Sequence, residues 1–282
     1  MMNKKEKTNL QTPNWTVADG AGKCQIAENN AIAQRIVVTS SEKAEKIRNL
    51  IKNKYAEISK SAMDKFQYPT GKDGLHKLKY DSTIINRFLP GLLESFCGVG
   101  NPFSLGRIKP GDTVLDFGSG TGVDLLVASE LVGEQGRICG IDLTAEMVEQ
   151  AKKNLIRANV SNIEIKKVDS EDIPYPDFTF DVVISNAVIN LSPDKKRVFK
   201  EIYRVLKPGG KLQFADVVLK TETPPNLSGD IEAWSEWIGG TIPVREQINL
   251  LKEAGFRKVE YVGTTGFHTS KYTTGALFRA LK

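Results

Sequence analysis

The sequence predicts an α/β protein built on a doubly wound, mostly parallel sheet. Two observations carry the prediction. Short apolar runs alternate five times with helix-patterned segments between residues 109 and 219, which is the spacing of βαβ units. The first run, TVLDFG, leads straight into a glycine-rich turn, and a helix-patterned segment follows that turn.

The elements are read in order along the chain. Residues 1–39 carry little pattern: AENNAIAQRI fits one short helix, and the polar residues before it are expected to be poorly ordered. Residues 40–100 are expected to form a helical segment. Ser41, Glu42, Lys43 and Ala44 read as a helix start, and Ile47, Leu50, Ile51 and Tyr55 then recur at helical spacing. YPTGKDG, with a proline and two glycines, reads as a loop. STIINRFLPGLLESF reads as further helix interrupted at Pro90.

From Lys109 the texture changes. KPGD is a turn, TVLDFG a buried strand, and VDLLVASELVG a helix ended by Gly133. RICGIDL is a second strand. TAEMVEQAKKNLIRANV is an amphipathic helix capped by Thr144, with Met147, Val148, Ala151 and Leu155 on one side. IEIKKVD and FDVVISNAVI are the third and fourth strands, the latter apolar enough to be covered on both faces. KKRVFKEIYRVL is helix, KPGG a turn and KLQFADVVL the fifth strand. A helical insert around WSEWIGG, within 221–242, precedes a helix over PVREQINLLKEAGF and a strand-like KVEYVG. TTGALFRALK is compatible with a last, reversed strand.

Composition excludes several classes. The 282 residues carry a net charge of +5 with basic residues scattered rather than clustered, unlike a nucleic-acid-binding arm. Cys24, Cys97 and Cys139 lie far apart, and His76 and His268 are the two histidines. That pattern offers neither a zinc site nor a disulfide framework, so no metal is expected. Nothing approaches the roughly 18 consecutive apolar residues of a membrane span. The basic N-terminus lacks the apolar stretch of a secretory signal. The expectation is a cytoplasmic protein.

The glycines Gly118, Gly120 and Gly122 fall on the first βα turn, where a doubly wound sheet binds its ligand. Without β-carbons they let the backbone bend sharply and approach a ligand. Asp142, ending the second strand, is placed to accept hydrogen bonds from ribose hydroxyls. To this point a dinucleotide and an adenosyl ligand fit equally. Asp116 separates them, because a carboxylate beside the turn would repel a pyrophosphate but suit a cationic amine. VDSEDIP, after the third strand, adds Asp169 and Glu171 where an adenine amine would lie.

With DFGSGTG, GIDLT, DSEDIP and RVLKPGG in that order, the chain resembles the class I S-adenosylmethionine-dependent methyltransferases over roughly residues 95–282. The resemblance implies a Rossmann-like, seven-stranded sheet over 101–282 with an N-terminal helical lid. It implies cofactor contacts from Asp116, Gly118, Ser119, Gly120 and Gly122 on the first turn. Asp142, Leu143 and Met147 would follow from the second strand and helix, Asp169 and Ser170 from the third strand's end, and Asn186 from the fourth's.

GVGNPFSLGRIKPGDTVLDFGSGTGVD, SNAVINLSPDKKRVFKEIYRVLKPGG and WSEWIGGTI are closer still to the arsenite methyltransferase family and its relatives. In that family cysteine thiolates hold the trivalent arsenic, a soft–soft pairing. The corresponding positions here are Val99, Ala187 and Trp237, none of which can ligate arsenic, although Cys97 lies nearby. Trp237, beside Trp234, suggests an aromatic wall for an organic acceptor.

The expected function is therefore methylation of a small organic acceptor by S-adenosylmethionine. Arsenite methylation and a non-catalytic cofactor-binding protein are the alternatives. His76 in the YPTGKDGLHKL loop, Glu236 beside Trp237, and Asn186 at the end of the fourth strand are the candidate catalytic residues. Tyr55 and Tyr68 are further lid candidates. SNAV lacks the Asn/Asp-Pro-Pro-aromatic motif of many base-modifying methyltransferases, so a nucleic-acid acceptor is not expected.

Overall fold

The computed structural model describes residues 41–220, 234 and 238–282. The expectations for residues 1–39, for most of the 221–242 insert, and for Glu236 and Trp237 lie outside those residues.

Seven strands form one sheet. β1 is Thr113–Phe117, β2 Arg137–Asp142, β3 Ile163–Lys167, β4 Phe180–Asn186, β5 Leu206–Leu219, β6 Arg257–Thr264 and β7 Thr273–Leu281. Their spatial order is β3-β2-β1-β4-β5-β7-β6. The first five are parallel, while β7 runs antiparallel between β5 and β6. The last strand is thus reversed, as TTGALFRALK suggested. After β3 the chain crosses back to place β4 beside β1. This is the switch point at which doubly wound sheets open a crevice beyond their carboxyl ends.

KPGG does not end the preceding helix with a separate turn. Leu206 already pairs with Phe180, and pairing resumes at Lys211 opposite Val182. The four residues between bulge out of β5, and Gly209 supplies a φ of 78° for the bend.

The helices between the strands are α5 (Val123–Val132), α6 (Ala145–Arg157) and α7 (Lys195–Val205), and α8 is Val244–Glu253. α5 is mostly apolar, and all but Glu130 and Leu131 of its residues are buried. It is covered by the sheet on one side and by the N-terminal segment on the other. α6 and α7 are amphipathic and bury one stripe each. Under α7, Phe214 stacks on Phe278 at 5.0 Å across the β5–β7 pair, and Phe199 leans on Phe214.

Ahead of β1 lie α1 (Ser41–Ile58), α2 (Gly71–Lys77), α3 (Ser82–Ile85) and α4 (Pro90–Leu93). α2 corrects the loop expected at YPTGKDG. Gly71 opens a helix with its N–H on the carbonyl of Phe96, and Gly74 is held against Pro69, where a β-carbon would come within 2.5 Å of the carbonyl oxygen. Gly74 serves close packing, while Gly71 supplies a φ of 59° where the chain turns into the helix. Ile47, Ile51, Leu75, Leu93 and Phe96 share a core with Val123 and Val127 of α5, which fixes the helical segment over the carboxyl edge of the sheet.

Candidate functional site

The cavity beyond the carboxyl ends of β1, β2 and β4 is open to solvent and spans about 1090 Å³, the open space at its mouth included. Its floor is the glycine turn. Gly118, Gly120 and Gly122 have φ of 79°, 52° and 89°, all in the region that glycine reaches without strain, but only the first two line the cavity: Gly122 caps α5 and turns toward Ala151, where a β-carbon would lie 3.4 Å away. Gly118 also allows a close approach: a β-carbon there would lie 2.3 Å from Val188. The N–H groups of Gly118 and Ser119 both donate to the carbonyl of Ile141, locking the turn against β2.

Asp142 ends β2 and ties two turns together. Its Oδ2 accepts the N–H of Gly120 at 2.8 Å and its Oδ1 the N–H of Thr144 at 2.8 Å. Thr144 therefore occupies the cap position of α6, but the side chain holding the start of that helix is Asp142, since the Thr144 hydroxyl makes no capping bond. An ionised carboxylate offers about four acceptor positions. Each oxygen of Asp142 so retains capacity for a ribose hydroxyl.

Asp116 is 1% exposed, and its Oδ2 has no hydrogen-bond partner among the described residues. Burial, then the nearby Asp124 and Asp142, pushes its carboxyl well above the usual range. Burial also raises Asp124 to about 6, although hydrogen bonds from Tyr80 and Asn186 oppose the shift. Four carboxyls (Asp116, Asp124, Asp142, Glu171) and one guanidinium (Arg48) line the cavity. Such a site repels a pyrophosphate and favours a cation. An unpartnered carboxylate oxygen beside a glycine cradle fits the ammonium of an aminoacyl ligand, and Asp142 fits a ribose. The residues present thus suit S-adenosylmethionine and not a dinucleotide.

The other expected cofactor residues divide. Ser119, Leu143, Met147 and Ser170 line the cavity. Asp169 does not: its side chain is exposed and pairs with Lys52 at 3.3 Å and with Lys167. Glu171, two residues on, faces the cavity instead, held by Arg48 and by the hydroxyl of Ser192 at 3.0 Å. β3 ends at Lys167, and the turn after it directs Ser170 and Glu171 inward.

The expected catalytic residues divide as well. Asn186 lines the cavity, but its amide is engaged by the protein. Its Oδ1 accepts the N–H groups of Val99 at 2.9 Å and Gly100 at 3.3 Å. Its Nδ2 lies within hydrogen-bond distance of Tyr80 Oη, the carbonyl of Gly100 and Asp124 Oδ2. Tyr80 Oη lies 2.8 Å from Asp124 Oδ1 as its donor. His76 is exposed on α2 and is not part of the cavity wall, and His268 is exposed after β6.

Asp124 and Arg48 line the cavity, and Tyr80 supports Asp124 and Asn186 from behind the wall; the sequence reading missed all three. Asp124 had a signal, an acid one residue into the helix that the glycine turn opens. Arg48 had another: it shares the α1 face of Ile51 and Tyr55 at i, i+3 and i+7, and all three line the cavity. Tyr80 had none, because its role rests on partners 44 and 106 residues away.

A family model described as a methyltransferase domain matches residues 108–261. The chain is 34% identical over 230 residues to an arsenite methyltransferase of Halobacterium salinarum, covering 77% of this chain and 59% of that protein. It is 30% identical over 138 residues to a demethylmenaquinone methyltransferase of Listeria monocytogenes, covering 49% and 56%. Among solved structures, an arsenic(III) S-adenosylmethionine methyltransferase from Chlamydomonas reinhardtii is similar at a TM-score of 0.56 and 28% identity, covering 76% of this chain and 75% of that one. The chain spans about half the length of the curated relatives it matches, from 44% to 59% for the first three.

Proposed function

The chain belongs to the S-adenosylmethionine-dependent methyltransferases, and on that premise we propose that it methylates a small organic acceptor in the cavity beneath α1. When bound, the cofactor would supply a sulfonium methyl group for transfer to the acceptor's lone pair, with S-adenosylhomocysteine as the leaving group and any acceptor proton lost to solvent. The chain's own residues bind, orient and exclude water. Asp116 would hold the ammonium, Asp142 the ribose hydroxyls, and Ser170 and Glu171 the adenine. Asn186 acts as a positioning residue: it holds the Val99–Gly100 backbone beside the start of α5.

The observation that carries this reading is the partnerless, buried Asp116 carboxylate next to the glycine turn. An organic acceptor is supported by the wall itself. Ile51, Phe96, Val188 and Leu191 line it, and Cys97 is its one thiol among the described residues. Ala187 stands in the wall, and Val99 is fully buried beside it, where the arsenic-binding family has cysteines.

The second reading is arsenite methylation, favoured by the names of the relatives and opposed by Val99 and Ala187. A melting scan with S-adenosylmethionine, S-adenosylhomocysteine, NAD and arsenite separates these readings. Both adenosyl ligands should stabilise the protein, by about 2.7 kcal/mol at a hundredfold excess over the dissociation constant. A further shift with arsenite would move the acceptor to the metalloid, and a shift with NAD alone would overturn the cofactor assignment.

A further inference from the structure

α1 lies along the cavity and presents one face to it. Arg48, Ile51 and Tyr55 occupy successive positions on that face, spanning about 10 Å at the helical rise. Arg48 sits at the Glu171 end. Tyr55, two turns later, packs in the cluster that contains Met147 and Cys97. The helix thus passes from the adenine end of the cavity to the end where the glycine turn and the Cys97–Gly100 backbone meet.

The Tyr55 hydroxyl is buried and makes no hydrogen bond to any described residue. Native proteins rarely leave such a group unmade, because the lost solvation is not recovered. Asp116 Oδ2, Ser119 Oγ and Arg48 Nε in the same wall are likewise buried without a hydrogen bond, the first two beside the glycine turn and the third at the Glu171 end, whereas the remaining carboxylates are engaged. Asp124 is held by Tyr80 and Asn186, Asp142 by two backbone N–H groups, and Glu171 by Arg48 and Ser192. Burial, with Cys97, Asp142 and Asp216 nearby, keeps the phenol well above its ordinary range. The group is a hydrogen-bond donor at any physiological pH and not a base. Cys97, raised to about 12 by burial and by the Asp142 and Asp124 charges, stays a neutral thiol.

We propose that Tyr55 is a specificity-determining residue whose hydroxyl donates to an oxygen of the methyl acceptor. The acceptor is a neutral, largely apolar molecule carrying a hydrogen-bond-accepting oxygen close to its reacting atom. Ile51, Phe96, Met147 and Leu191 cover its apolar body, and the carboxylates of the wall discriminate against an anion. This rests on the methyltransferase reading above, and the hydrogen bond adds no covalent step to it.

The test uses the full chain loaded with S-adenosylhomocysteine and two neutral thiols, benzyl mercaptan and 2-hydroxybenzyl mercaptan, which differ by one hydroxyl on the ring. Calorimetry should show the hydroxylated probe binding more tightly than its parent. Tyr55→Phe should remove that preference, a change of about three- to tenfold for one neutral hydrogen bond. Affinity for the parent thiol and for S-adenosylhomocysteine should stay the same. With S-adenosylmethionine the hydroxylated thiol should also be methylated at lower KM by the wild type than by Tyr55→Phe. Equal binding of the two probes to the wild type, a preference that survives in Tyr55→Phe, or no binding of either probe to the loaded protein would each overturn the proposal and leave the cofactor assignment standing. A protein that binds no S-adenosylhomocysteine at all would overturn the underlying methyltransferase reading instead.

Discussion

The amide oxygen of Asn186 accepts the backbone N–H of Val99 at 2.9 Å, joining the end of β4 to a segment 87 residues earlier in the chain. The same side chain reaches Tyr80 and Asp124, so one amide fixes the wall beside the glycine turn. Gly98 makes this possible, since a β-carbon there would meet the Asn186 amide nitrogen at 2.3 Å. Asn186→Ala leaves two backbone donors without their acceptor and takes one of the two hydrogen bonds from Asp124, and should lower stability by about 1–3 kcal/mol. Urea unfolding checks this, and a midpoint equal to the wild type would refute the anchoring role.

Asp116 should carry opposite effects on stability and on binding. In the free protein its carboxyl is buried, partnerless and close to two others. Asp116→Asn removes that repulsion at nearly constant volume and should raise the melting temperature of the free protein, the usual signature of a site strained for function. The same change should abolish stabilisation by S-adenosylmethionine. If the variant still binds the cofactor with wild-type affinity, the ammonium lies elsewhere.

The raised carboxyls also give binding a pH dependence of definite sign. Asp124 titrates at about 6 in the folded protein, raised by burial against the hydrogen bonds of Tyr80 and Asn186. A folded-state pKa above the unfolded value means that the native state holds its proton more tightly. The contribution of Asp124 to the free protein's stability is therefore greatest in acid and is lost as pH rises from near 4 through about 6. A cationic cofactor favours the ionised form, so affinity for S-adenosylmethionine should strengthen with rising pH over the same window. Between pH 7.5 and 5.5 it should weaken by at least about three- to fivefold, the factor for a group with the pKa of Asp124 alone, to which the raised Asp116 adds in the same direction. Calorimetry at the two pH values measures it, and tighter binding at pH 5.5 would show that Asp124 is not the linked group.

The Arg48–Glu171 pair joins α1 to the cavity, and both side chains are largely buried at 19% and 5% exposure. Removing one partner strands the other charge, a loss of about 3–5 kcal/mol in buried pairs. Arg48→Met alone should therefore destabilise strongly, whereas Arg48→Met with Glu171→Leu should recover most of the loss. A double variant no more stable than Arg48→Met would mean that the pair is not coupled across the α1 contact.

The sheet and its glycine turn were legible in the sequence because they rest on local signals. Alternation with period two and period 3.6, glycines at a strand–helix junction, and acids at Asp116 and Asp142 follow from neighbours within a few residues. Even the reversed β7 had its trace in a β-rich close to the chain. KPGG and YPTGKDG show where local signals fail: both look like turns, yet one bulges inside a strand and the other contains a helix packed too tightly for any side chain at Gly74.

What the tertiary structure decided is which polar side chains face the cavity and which are already engaged. Asn186 looked catalytic by position, but partners 62 to 106 residues away make it an anchor. Asp169 and Glu171 looked equivalent, and only the approach of α1, with Lys52 on one and Arg48 on the other, separates an exposed pair from a residue in the wall. His76 looked placed to act, and the packing of α2 turned it to solvent. Sequence by itself determined the scaffold and the cofactor, because periodicity and turn chemistry act over short range. The acceptor side was set by contacts between segments far apart in the chain, and burial there decides which groups keep a free hydrogen bond.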